Sequence, residues 1–197
     1  MTVGHWYANG RYLMNPGVSG AFTWNGSTTN YALYAALVDS SKYTPDPYND
    51  EYLSTAIATS GAEPAAATGY LRVPVQLAAV ATAQKTSPTA DYVIYPVNAS
   101  YPLSWTINTN ETMTAGLIIF YWDFNIAHSL VPPLTAYYPS GSNHSYDSTC
   151  PLIGYGPFVD ASSGDNYWTT TSAQALVSYS YDTTFSGYSV LLSDQVL

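Results

Sequence analysis

Apolar residues fall into short runs along this chain, and the longest run of bulky ones is Leu117–Trp122, inside the stretch Thr112–Phe124. It is β-branched and aromatic, and too short to cross a membrane or build a long helix. Alternation puts Ile118, Phe120, Trp122 and Phe124 on one face and Leu117, Ile119 and Tyr121 on the other. A strand apolar on both faces belongs in the middle of a sheet with material above and below it. Tyr31–Val38 has the same character and reads as a second buried strand ending at Asp39.

The other runs are arranged around these two. Leu71–Leu77 alternates, which predicts Leu71, Val73, Val75 and Leu77 inward and Arg72, Pro74 and Gln76 outward. Pro74 cannot donate to a ladder, so this strand is expected at a sheet edge. Tyr92–Tyr95, Leu103–Ile107, Leu152–Tyr155, Ala173–Tyr181 and Tyr188–Leu192 are further strand candidates. One short helix is expected after Tyr43-Thr-Pro-Asp-Pro47, with Asn49 as its cap and Asp50 and Glu51 in its first turn. Tyr52, Leu53, Ala56 and Ile57 would form its apolar face, and Gly61 and Pro64 would end it. Pro132, Pro133, Pro139 and the polar stretch Ser140–Asp147 mark a long exposed loop.

The expected fold class is mainly β: a single-domain antiparallel β-sandwich or flattened barrel with one short helix. Residues 1–26 read as an N-terminal arm and 27–197 as the β-sandwich domain. Glycine and Pro16 in the arm argue against a regular element there, yet it carries Trp6, Tyr7, Tyr12, Phe22 and Trp24. An arm with so many aromatics should be pinned, preferably against a neighbouring subunit. On that preference, removing Met1–Gly20 should leave a folded domain.

Composition narrows the function classes. Charged residues make up 9% of the chain, against about 25% in an ordinary soluble domain. Polarity comes instead from Ser, Thr, Asn and Gly, together with 20 Tyr. Four Lys+Arg against 13 Asp+Glu give a net charge of -9, which disfavours nucleic acid and anionic membranes as partners. The start of the chain has no basic segment followed by an apolar core, so no signal peptide is expected. Cys150 is the sole cysteine and precludes an intrachain disulfide. The triplets at Asn25, Asn98, Asn110 and Asn143 are read as unglycosylated loops.

No local motif writes a catalytic or metal site. His5, His128 and His144 are scattered, and His144 near Asp147 is read as a solvated loop pair. Asp46, Asp50 and Glu51 are the densest carboxylates, and helix capping accounts for the last two. Gly17-Val-Ser-Gly-Ala21 lacks the final glycine of a nucleophile elbow. Cys150 precedes Pro151 without a nearby base and reads as a partly buried structural thiol. The expectation is therefore not an enzyme, with no cofactor and no metal. The interface candidates are Trp6, Tyr7, Tyr12, Phe22, Trp24, Tyr137 and Tyr138, because exposed aromatics supply rigid contact area or stack on sugars.

Several pieces resemble a module of small structural virion proteins of tailed bacteriophages. They are Tyr31-Ala-Leu-Tyr-Ala-Ala-Leu-Val-Asp39, Tyr43-Thr-Pro-Asp46, Asp50-Glu-Tyr-Leu-Ser54 and Thr68-Gly-Tyr70. Asp91, Ser104-Trp105, Thr114-Ala-Gly-Leu-Ile-Ile119 and Pro151-Leu-Ile-Gly154 are compatible with it. The resemblance implies a non-catalytic virion component made in the host cytoplasm, with a capsid decoration or cement protein as the expected role. Its partners would be the major capsid protein or other virion proteins, in an oligomer or many copies per particle. The alternatives are a tail- or capsid-borne receptor- or glycan-binding module, a tail tube or minor tail protein, and a hydrolase with a carboxylate pair across a cleft. The stretch His128–Thr149 and the aromatic arm are departures from the family pattern, and they leave the position in the virion open.

Overall fold

The computed structural model describes residues 5–13, 32–65, 69–75, 84–85, 93–96, 103–107, 111–113, 116–123, 147–158, 168–170, 175–179, 182–185 and 188–193. The described part is mainly strand with little helix. It opens with β1 (His5–Trp6), α1 (Ala8–Leu13), β2 (Ala32–Asp39), α2 (Leu53–Ala56) and β3 (Val73–Pro74). There follow β4 (Gln84–Lys85), β5 (Val93–Pro96), β6 (Leu103–Ile107), β7 (Glu111–Met113) and β8 (Gly116–Asp123). The last five are β9 (Leu152–Pro157), β10 (Trp168–Thr170), β11 (Ala175–Tyr179), β12 (Asp182–Phe185) and β13 (Tyr188–Ser193).

The stretch around Leu117–Trp122 is the centre of an antiparallel sheet in the order β1-β9-β8-β2-β3. β2 and β8 pair along their whole length, from Ala32 opposite Asp123 to Asp39 opposite Gly116. This register sorts their side chains. Tyr34, Ala36 and Val38 share a face with Leu117, Ile119 and Tyr121, while Leu33, Ala35 and Leu37 lie with Ile118, Phe120 and Trp122. Both sets are buried apart from the half-buried Leu117, as a strand apolar on both faces requires. Val73, Val75 and Trp105 are buried too, as expected. The Thr112–Phe124 stretch is two strands rather than one, since β7 leaves to pair with β10.

The Tyr34 face is covered by the connection from Asp39 to Ala65: Tyr43, Leu53, Ala56 and Ala62 pack there with Tyr7, Cys150 and Leu152. The thiol of Cys150 is therefore a core group, 2% exposed. On the other face, β3 approaches β6 and β1 approaches β13. The remaining pairings are β11 with β6, and a sheet in the order β12-β13-β5-β4.

Both edge strands of the central sheet are short. β3 is two residues long and ends at Pro74, at the edge that its proline predicts. Beyond it, the Tyr70 hydroxyl accepts the Leu37 N–H at 2.9 Å, and the Ala62 carbonyl accepts the Asp39 N–H at 2.8 Å. At the opposite edge β1 is equally short. There the Ile153 carbonyl accepts the Tyr7 N–H at 3.1 Å, and the Leu152 N–H donates to the Glu51 carbonyl at 2.9 Å. Backbone groups of β2 and β9 that these short edge strands leave uncovered are thus taken up by side chains and loops.

Three expectations need correction. First, the helix begins at Leu53 after Tyr52, with no side-chain cap, so Asn49, Asp50 and Glu51 precede it. Leu53 and Ala56 are buried, whereas Tyr52 is 39% exposed. Second, there are two short helices among the described residues, because the N-terminal segment forms α1 despite its glycine. Gly10 is there for close approach: a Cβ would run into the backbone of Ile153. Third, the described part of the arm, residues 5–13, is pinned to its own sheet, the alternative to the preferred neighbouring subunit. β1 pairs with β9 through His5 opposite Tyr155 and Trp6 opposite Gly154, and Trp6 and Tyr7 are buried in their own chain. Deleting Met1–Gly20 would therefore open the core instead of leaving a folded domain.

Candidate contact surface and the polar networks beneath it

The turn that replaces the expected helix start is built from carboxylates. The Asp46 side chain accepts the N–H groups of Tyr48 at 3.1 Å and Asn49 at 3.2 Å, and its second oxygen accepts the Asn49 amide at 2.7 Å. The Asn49 amide, then the Tyr48 N–H, hold the Asp46 carboxyl below the usual carboxylate range. The Asp46 carbonyl accepts the Asp50 N–H at 3.0 Å, and the Pro47 carbonyl accepts the Ala8 N–H at 2.7 Å. Each bond removes freedom from a four-residue loop, so its tip is presented in one conformation.

A hydroxyl chain ties this turn to the core. Asp50 Oδ2 accepts the Asp46 N–H at 2.8 Å and the Tyr43 hydroxyl at 2.7 Å. A carboxylate only accepts, so the Tyr43 oxygen is left to accept from the Tyr7 hydroxyl, 2.7 Å away. Burial, and then the bond between them, pushes the Tyr7 hydroxyl far above tyrosine's ordinary value; burial likewise raises Tyr43. The Tyr7 ring also lies 5.1 Å from that of Tyr155, whose other neighbour is His5 at 5.4 Å.

A second network lies on the same face of the sheet, and it inverts the expectation for the two residues before β3, although Val73 and Val75 are inward as the alternation predicts. Arg72 is fully buried, while Leu71 is 41% exposed. Its guanidinium donates to Glu63 through Nε at 2.7 Å and Nη2 at 2.8 Å, and to Asp147 through Nη1 at 2.7 Å and Nη2 at 3.2 Å. It sits 5.5 Å from the centre of the Tyr121 ring. Tyr70 donates to Glu63 at 2.9 Å while accepting the Leu37 N–H. Burial works against the guanidinium charge, but Tyr121, Glu63 and Asp147 outweigh it, and Arg72 is held charged more firmly than usual.

At the surface above these networks, Tyr48 is 85% exposed and Tyr52 39%. Asn9 donates to the Glu51 carbonyl at 3.2 Å, and Tyr52 bridges to Pro151, so α1, the turn and the entry to β9 form one surface. It can offer aromatic contact area and carboxylates.

The candidates named from sequence fare unevenly. Trp6 and Tyr7 are committed to the interior and offer nothing to a neighbour. Tyr12 is on α1, and its side chain lies outside what is described; Phe22, Trp24, Tyr137 and Tyr138 lie outside the described residues. So do His128, His144 and most of the proline-rich loop, but Asp147 is 3% exposed and belongs to Arg72, not to a solvated pair. Among the described residues no group of His, Cys, Asp and Glu could hold a metal ion, and no helix is long and apolar enough to cross a membrane. Tyr48 was missed because nothing in a Pro-Tyr-Asn turn distinguishes an exposed ring from a tucked one. Arg72 had a usable signal: it is one of four cations in 197 residues and sits between apolar neighbours. The chain matches no family model, no curated protein and no solved structure.

Proposed function

We propose that this protein is a structural component of a tailed-bacteriophage particle, placed on the capsid exterior as a decoration or cement protein that bridges capsid subunits. The observation that carries this reading is an exposed aromatic surface on a strand scaffold whose central sheet ends in two-residue edge strands. Such a surface adheres through side chains and does not polymerise by strand addition. Low charge suits permanent interfaces, where an unpaired buried charge is costly. Many copies would sum weak contacts into firm attachment.

The same reading takes the chain as one antiparallel β-sandwich or flattened barrel. The approach of β3 to β6, with Trp105 buried at 1%, supports a second layer over Ile118, Phe120 and Trp122. The test is copy number in purified particles by quantitative mass spectrometry. A number comparable to the major capsid protein is expected, and a handful of copies, or none, contradicts the assignment. A receptor- or glycan-binding module is the second reading, favoured by the exposed rings of Tyr48 and Tyr52. Glycan-array binding that disappears in Tyr48→Ala would establish it instead.

A further inference from the structure

We infer that the surface made by the Asp46–Asn49 turn, Glu51 and Tyr52 docks a partner protein through an arginine side chain that stacks on the Tyr48 ring. The inference does not depend on where the protein resides. It begins from the exposure of Tyr48, 85%, in a part of the chain where Tyr7, Tyr34, Tyr43, Tyr70 and Tyr121 are all buried. One exposed aromatic is ordinary, but this one is accompanied by Tyr52 and sits on a fully bonded turn. The turn is fastened to α1 through Ala8 and to the core through Asp50 and Tyr43. A ring carried on such a turn has its backbone already placed, so docking costs only side-chain freedom, which suits an interface anchor.

Charge selects the occupant. From Asp39 to Tyr52 the ionisable acids are Asp39, Asp46, Asp50 and Glu51, and the one cation is Lys42, whose ammonium donates to the Gly61 carbonyl at 2.8 Å. Asp46 and Glu51 are exposed, on either side of Tyr48 in the chain. An acid-flanked tyrosine attracts a cation, and a planar guanidinium both stacks on the ring and hydrogen-bonds carboxylates. A second copy of the chain is a poor occupant, since each copy has a net charge of -9 and only four Lys+Arg, of which Arg72 is buried. Strand addition has little to build on at this edge, where β1 is two residues long and Tyr7 and Glu51 take backbone groups of β9.

The experiment uses the full chain and a fluorescently labelled Gly-Arg repeat peptide, with a Gly-citrulline repeat as the uncharged isostere and chitohexaose as the sugar probe. Binding of the Gly-Arg peptide is expected to weaken about tenfold in Tyr48→Ala, to persist in Tyr48→Phe, and to fall several-fold in Glu51→Gln. The Gly-citrulline peptide should bind more weakly by a similar factor. Circular dichroism and the urea midpoint should be unchanged in all three variants, because these side chains lie at the surface. Absence of Gly-Arg binding, equal affinity for the citrulline peptide, or indifference to Tyr48→Ala would overturn the inference. So would Tyr48-dependent binding of chitohexaose without binding of the peptide, which would make the surface a sugar site.

Discussion

Replacing Arg72 by Met tests the buried network most severely. Met keeps length and apolar contact with Tyr121 but removes the charge and all four hydrogen bonds to Glu63 and Asp147. The two carboxylates left behind are only 6% and 4% exposed, so water cannot replace the guanidinium without the site opening. Removing one partner of a buried ion pair costs ~3–5 kcal/mol. One cation serves two carboxylates here, so the upper part of that range is expected. Such a loss is a third or more of the ~5–15 kcal/mol that stabilises an ordinary domain. Urea unfolding followed by tryptophan fluorescence is the assay, since Trp6, Trp105 and Trp122 are all buried. With a slope of about 2 kcal/mol per molar, the midpoint should fall by roughly 2 M at unchanged slope. Arg72→Lys should fall between, because one ammonium cannot satisfy two bidentate partners. Arg72→Met combined with Glu63→Gln and Asp147→Asn should recover part of the loss by removing the stranded charges. A single Arg72→Met within ~1 kcal/mol of the parent, or a triple variant less stable than the single one, would refute the reasoning.

Three further outcomes are expected. Phe120→Ala, deleting a ring that is 1% exposed on the central strand, should cost about 3–5 kcal/mol in the same urea assay, and a loss under ~1 kcal/mol would contradict its place in the core. Alkali should unfold the protein cooperatively: burial, then Asp123, pushes Tyr34 up to about 12, and burial raises Tyr7, Tyr43 and Tyr70 as well. The native state keeps these protons after the unfolded chain loses them near pH ~10, so stability is complete below that pH and falls above it by up to about 1.4 kcal/mol per pH unit per tyrosine. Smooth tyrosinate absorbance near pH ~10 with the fold intact would argue against their burial. Asp46, with its folded value depressed, stabilises the turn above the ordinary carboxylate range and stops doing so as pH falls through that depressed value. Amide protection at Tyr48 and Asn49, taken relative to intrinsic exchange at each pH, should therefore fall in acid and in Asp46→Ala, and protection unchanged by either would show that Asp46 does not hold the turn.

How far the sequence foretold these features depended on how local their causes were. β8 and β2 were legible because unbroken β-branched and aromatic runs leave few alternatives to a central strand, and Pro74 marked the edge. The burial of Arg72 was not. Alternation holds for Val73 and Val75, but the residues before this two-residue ladder depart from it, and Arg72 turns inward toward Glu63 and Asp147, the latter 75 residues away. Capping logic placed a helix at Asn49, but Asp46 accepts the Tyr48 and Asn49 N–H groups and closes a turn there, and the helix starts only at Leu53. In the N-terminal segment, glycine looked like a breaker, yet Gly10 lets α1 lie against Ile153. The Tyr7–Tyr43–Asp50 chain joins residues up to 43 positions apart, and no sequence window contains it.

A cryo-electron microscopy map of the assembled particle tests the proposed assembly role and the Tyr48 contact most directly. The account predicts many symmetry-related copies on the capsid exterior, each with the Asp46–Asn49 turn buried against an adjoining subunit. A particle lacking this chain, or one in which Tyr48 faces open solvent in every copy, would contradict it.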